Sequence, residues 1–94
     1  MNQEIIYAKL LDKGFQEKPA SVLSEDLSKI SIELETALRS WIESDEENDY
    51  VANGVSLKGL MKQYQLQYPA ALLSIDWVIK DPNTATAAIK RGIR

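Results

Sequence analysis

The sequence predicts a mainly all-α protein: a single compact domain, residues 1–94, of five to six short helices with a small β-hairpin near 50–56, wrapped around a buried helix at 69–80. Three observations predict it. The stretch Pro69 to Lys80, PAALLSIDWVIK, is apolar on nearly every side. Other segments carry apolar residues at helical spacing on one face only. Asn53-Gly54 stands between β-favouring residues, the strongest short hairpin signal, because both positions tolerate positive φ.

On a helical wheel of 69–80, Ala70, Leu73 and Trp77 occupy one arc, and Ala71, Leu72, Ile75, Val78 and Ile79 a wider one. Only a narrow stripe with Asp76 and Lys80 is left for water. Four apart and in the favourable order, these two are expected to pair with neither charge buried. Such a helix has to be wrapped by other elements, and truncating one of its leucines should cost about 2 to 5 kcal/mol.

Along the chain, Asn2 is placed to cap a first helix presenting Ile5, Ile6, Leu10 and Leu11, and Gly14 to end it. Pro19 suits the first position of a second helix, with Val22, Leu23, Leu27 and Ile30 as its apolar residues. Ser31 is a candidate cap for a third, from Ile32 to about Glu43, with Leu34, Ala37, Leu38, Trp41 and Ile42 on one face. The run 43–49 then places five carboxylates in seven residues. Their repulsion favours a hydrated, mobile acidic loop. Ser56 is positioned to cap a fourth helix through Tyr64, with Leu57, Leu60, Met61 and Tyr64 at spacings 0, 3, 4 and 7. Asp81-Pro82 stops the central helix and opens a last, alanine-rich one that Gly92 closes.

Ninety-four residues allow one core, burying about 60 to 65% of the surface the unfolded chain exposes. With neither cysteine nor histidine, the chain offers no thiolate, no disulfide, no Cys-based metal site and no Ser-His or Cys-His arrangement. An enzyme is therefore not expected. The start, MNQEIIYAKLL, lacks a basic region and an unbroken apolar stretch, and the longest apolar-rich run is too short to span a bilayer. A soluble cytoplasmic protein is the expectation.

The net charge of −3 hides an asymmetry. Residues 1–49 hold 12 acids and five bases, a balance of −7, and residues 50–94 hold two acids and six bases, a balance of +4. This describes either one acidic face on a small domain or a polarity that aligns copies or a partner. Calcium-loop frames starting at Asp45 or Asp49 both place wrong residue types at ligand positions. A weakly cation-attracting group at Asp45, Glu46, Glu47 and Asp49 is the most a metal reading supports. No cofactor is expected, since Gly54 and Gly59 stand alone and no phosphate-binding loop is present.

Residues 56–80 have the spacing of a helix-turn-helix and resemble that family of DNA-binding regulators in this respect. That resemblance implies nucleic-acid contacts from Lys58, Lys62, Lys80, Lys90, Arg91 and Arg94. Against it stand an isoelectric point near 4.9 and a second helix that offers Ser74 and Asp76 where base-reading side chains belong. At the amino end, Leu11-Asp-Lys-Gly-Phe15, with Ala20, Leu23, Ala37-Leu38 and Trp41-Ile42, resembles the three-helix ubiquitin-associated domain family over about the first 43 residues. Lys13 replaces the methionine of that family's Met-Gly-Phe loop. The resemblance implies recognition of a ubiquitin fold through the loop at Phe15.

Tyr50, Tyr64 and Tyr68 cluster near the hairpin and the turn before the central helix, and tyrosine suits a contact surface because it supplies area and a hydrogen bond at modest entropic cost. They are the candidate partner contacts. The expected function is a non-enzymatic protein–protein interaction module or self-associating subunit, its partner an unidentified protein or a second copy. The alternative is a small helix-turn-helix-like regulator using 56–80.

Overall fold

In a computed structural model, which describes residues 1–92, the chain forms six helices and one hairpin in the order α1 (Gln3–Asp12), α2 (Glu17–Leu27), α3 (Ile32–Ser44), β1 (Val51–Ala52), β2 (Val55–Ser56), α4 (Leu57–Tyr64), α5 (Tyr68–Lys80) and α6 (Pro82–Arg91). The longest apolar-rich segment has become the hub: α5 packs on α2, α3, α4, α6 and both strands, while α1 lies along α2 and α3. Its wider arc is covered along most of its length, with Ala71, Leu72, Ile75 and Val78 inaccessible to water and Ile79 partly buried. The other arc is covered only in part, and Trp77, expected in the core, is 38% exposed. Helices of eight to thirteen residues enclose one side of the hub, and the carboxyl half of its second arc faces outward.

Local chemistry accounts for the boundaries. The Asn2 side chain accepts hydrogen bonds from the backbone N–H of Glu4 (2.7 Å) and Ile5, so the first donors of α1 are satisfied. Beyond α1, Gly14 takes φ +99°, and the N–H groups of Gly14 and Phe15 donate to the carbonyls of Leu11 and Leu10. This is a Schellman closure. Because the space around an added Cβ at Gly14 is open, Gly14→Ala isolates the backbone strain; urea denaturation is expected to show a loss of about 1 to 2 kcal/mol.

Three sequence expectations shift. Helix α2 begins at Glu17, two residues before Pro19, which is tolerated because the N–H at the third helical position has no intrahelical acceptor. Its inward face is Ala20, Ser24 and Leu27, leaving Val22 exposed, and small side chains there let α1 approach closely. On α1 only Ile6 and Leu10 are buried, with Ile5 and Leu11 turned to solvent.

The hairpin forms where Asn53-Gly54 predicts it, with Val51 opposite Ser56 and Ala52 opposite Val55. Asn53 (φ 49°) and Gly54 (φ 77°) both take positive φ, as a tight hairpin turn requires. Ser56 caps α4 by accepting from the Gly59 N–H at 3.0 Å. Helix α6 docks through Ala85, fully buried, and Ile89, packed against the core.

Candidate functional site

The Schellman turn after α1 brings Lys13 and Phe15 to the carboxyl end of α3. The Phe15 ring meets Trp41 edge-on, with centroids 6.5 Å apart and planes at 84°. Trp41 in turn lies 5.7 Å from the Tyr68 ring at 31°. These three rings, with Met61 and Pro69, line a cleft of about 540 Å³ whose remaining walls carry Asp12, Asp45 and Glu47. The Lys13 ammonium sits inside it, 4.6 Å from the Trp41 ring centroid. It donates to the Trp41 carbonyl at 3.0 Å and pairs with the Asp45 carboxylate. An ammonium over an aromatic face, at the negative end of a helix and beside a carboxylate, is favoured three times over.

The acidic connection between α3 and β1 forms one side of this cleft. Glu43 and Ser44, expected in the loop, continue α3, and residues 45–50 have neither helix nor strand; the side chains at 43–49 are exposed, but the connection is tied at three points. Asp45 takes a left-handed conformation, φ 56°, and pairs with Lys13. The Asn48 carbonyl accepts a hydrogen bond from the Tyr68 hydroxyl at 2.9 Å. The Asp49 carboxylate accepts from the N–H of Lys58 (2.9 Å) and Tyr50 (2.8 Å) and from the Ser56 hydroxyl. The bond from the Lys58 N–H, reinforced by those from Tyr50 and Ser56 and opposed by burial, holds Asp49 below the usual carboxylate range. Asp45 and Asp49 thus point to different anchors, and no group of three acids among the described residues could hold a metal ion.

Tyr68 is 1% exposed. It was expected at a contact surface, and the structure corrects this: helix α5 begins at Tyr68 rather than Pro69, so the ring points into the core and only its hydroxyl reaches the connection. Burial, with the nearby charges of Glu47 and Asp49, pushes its phenol up to about 12. The folded state therefore holds the proton more tightly than the unfolded chain, and stability contributed by Tyr68 is lost as pH rises from about 10. An ultraviolet titration of phenolate is expected to show one late ionisation near pH 12, absent in Tyr68→Phe.

The other two tyrosines are half-buried. Tyr50 packs against the core at the foot of the hairpin, and the Tyr64 hydroxyl donates to the Ile89 carbonyl at 2.7 Å, tying α4 to α6. Lys58 and Lys62 lie one turn apart on the exposed side of α4, and Lys90 and Arg91 in the last turn of α6. Lys80 is held elsewhere, donating to Asp76 at 2.8 Å and to the Lys29 carbonyl at 3.0 Å. Arg94 lies outside the described residues. The helix-turn-helix spacing is present as α4, a three-residue turn and α5, but α5 buries Tyr68, Pro69, Ala71, Leu72, Ile75, Asp76 and Val78. The part of α5 that faces outward carries Leu73 and Trp77 where a groove-reading helix presents polar and basic side chains.

The three helices that suggested a ubiquitin-associated domain occur as α1, α2 and α3, with Phe15 directed at Trp41. The sequence marks Gly14 as a helix stop, Phe15 as part of the loop that follows and Trp41 as a residue of an apolar helix face; it does not show Lys13 between Trp41 and Asp45. The available signal was a lysine immediately before a helix-ending glycine, with an acidic run following the helix that carries the tryptophan. The fold and its cleft define a small six-helix bundle with an aromatic, acid-rimmed recess. Comparison of the chain with protein families, with curated proteins and with solved structures finds no match. Among the described residues, no helix is long and apolar enough to cross a membrane.

Proposed function

We propose that this protein is a non-enzymatic protein–protein interaction module whose docking surface is the cleft between the α1–α2 turn, the end of α3 and the start of α5, and whose occupant is a basic polypeptide segment. The observation that carries this reading is the pairing of two aromatic rings, Phe15 and Trp41 beneath Lys13, with Asp12, Asp45 and Glu47 at the rim of one recess. Aromatic area supplies affinity, and the carboxylates select positive charge and steer it in. The amino half of the chain, with its balance of −7, extends that field. A second copy, presenting its basic carboxyl half, is one source of such a segment, and sedimentation over a concentration series identifies it.

The test is fluorescence polarisation with a labelled hexalysine peptide and a hexaglutamate control at low salt. Hexalysine is expected to bind and hexaglutamate not to. The double variant Asp45→Asn/Glu47→Gln, at exposed positions, should weaken binding about five- to tenfold. Equal binding of both peptides, or an unchanged affinity in the double variant, overturns the proposal.

A further inference from the structure

We infer that the Trp41 face is a seat for an ammonium group, filled in the free protein by Lys13, and that the partner docks by placing a lysine side chain there in its stead. The inference rests on the interaction-module reading and specifies its ligand. Lys13 has the surroundings of a bound ligand more than those of a surface lysine: its side chain is 15% exposed while that of its partner Asp45 is 80% exposed. Three groups receive the ammonium, the ring of Trp41 at 4.6 Å, the backbone carbonyl of the same residue at 3.0 Å and the Asp45 carboxylate. They converge from the last turn of α3 and do not depend on which chain supplies the cation.

Lys13 is also placed to leave. It caps the carboxyl end of α1, and its side chain lines a cleft at the surface, so rotation about its side-chain bonds moves the ammonium toward water without displacing Ile6 or Leu10. Asp12 and Glu47, which line the same recess, have no salt bridge among the described residues and supply charge for further basic residues of the incoming segment. Lys13 is then an internal competitor. It keeps the aromatic face dry and charge-matched when no partner is present, and it lowers the affinity of every lysine-bearing partner by the occupancy it holds. The Lys13→Met variant keeps an unbranched side chain over Trp41 and removes the competing charge.

The experiment is a titration of the full chain, labelled with ¹⁵N and with ¹³C at the lysine ε position, with hexalysine, in parallel for the native protein and Lys13→Met, each first checked for cooperative thermal unfolding. Expected are movement of the Trp41 indole N–H resonance, a shift of the Lys13 ε-methylene signal to the position of solvent-exposed lysines, and binding about fivefold tighter in Lys13→Met. If hexalysine binds the native protein and that binding responds to Asp45→Asn/Glu47→Gln, but Lys13→Met binds no tighter or the Lys13 signal stays in place, the lysine-exchange inference falls and the basic-segment reading stands. If hexalysine leaves the Trp41 resonance unmoved in both proteins, both fall. The Lys13 signal is read on the native protein, so poor folding of the variant leaves the inference still falsifiable.

Discussion

Leu72→Ala is expected to lower the free energy of unfolding by about 3 to 5 kcal/mol. Leu72 is completely buried on the arc of α5 that meets the rest of the core, where the neighbours can close little of the space its isobutyl group leaves. A domain of this length has about 5 to 15 kcal/mol in total, so the variant should sit near the edge of folding at physiological temperature. The neighbouring Leu73 provides the control. It lies on the half-covered arc, and Leu73→Ala should cost about 1 kcal/mol, because part of its surface is already in water. Urea denaturation followed by circular dichroism measures both, and equal losses at the two positions would show that the hub is covered evenly.

Asp76→Ala should cost about 2 to 4 kcal/mol, a large effect for a single carboxylate. The sequence placed Asp76 on a watered stripe, but it is 7% exposed, because the α2–α3 junction lies over it. Its Oδ1 accepts from the Ser31 N–H at 2.8 Å and the Ser31 hydroxyl at 2.7 Å, and Oδ2 pairs with Lys80 at 2.8 Å. Ser31 was expected to cap α3 with its side chain; its hydroxyl instead donates to Asp76, and no side-chain cap is made. One carboxylate thus ties the entry of α3 to the hub, and its removal leaves the Ser31 N–H and hydroxyl without their acceptor. Ser31→Ala, which spares the N–H bond, should cost less, about 1 kcal/mol.

The same group makes stability depend on pH. Burial pushes the Asp76 carboxyl up, but hydrogen bonds from Lys80, the Ser31 hydroxyl and the Ser31 N–H, with the Lys80 charge, outweigh it and hold it below its ordinary 3.8. The unfolded chain then binds the proton at higher pH than the folded one. Stability from Asp76 is fully present above about pH 5 and is lost as pH falls below 3.8 through the depressed folded value. Asp49, also lowered, acts in the same direction but is exposed. Acid unfolding of Asp76→Asn should accordingly be shallower than that of the native chain, and an identical acid profile would remove Asp76 from the account.

How much was legible in the sequence differs by element. The α1 and α4 caps, the Gly14 stop, the turn at Asn53-Gly54 and the stop at Asp81-Pro82 each rest on a residue acting on backbone within a few positions, and each occurs as read. Which face of a helix finds a neighbour is a different matter. Val22 and Ile5 satisfied an apolar pattern yet face solvent, and Trp77 is only half covered, because apolar character alone does not say which side another helix will approach. Among the candidate contacts, Tyr68 turned inward when α5 began one residue early. The recess over Trp41 was not read, since Trp41 and Asp45 are neighbours in the chain but Lys13 lies 28 positions before Trp41 and Tyr68 well beyond it.

By itself, then, the sequence determined the helical class, the hub at 69–80, the hairpin and most element ends, because these follow from side-chain periodicity and from local backbone preferences that act over one or two turns. Only the tertiary structure decided that Asp76 is buried, that Ser31 serves it instead of a helix, and that Lys13 lies over Trp41 beside Asp45. Those are meetings of residues 28 to 45 positions apart, and hydrogen-bonding and electrostatic energies at a few ångströms depend on how whole helices pack.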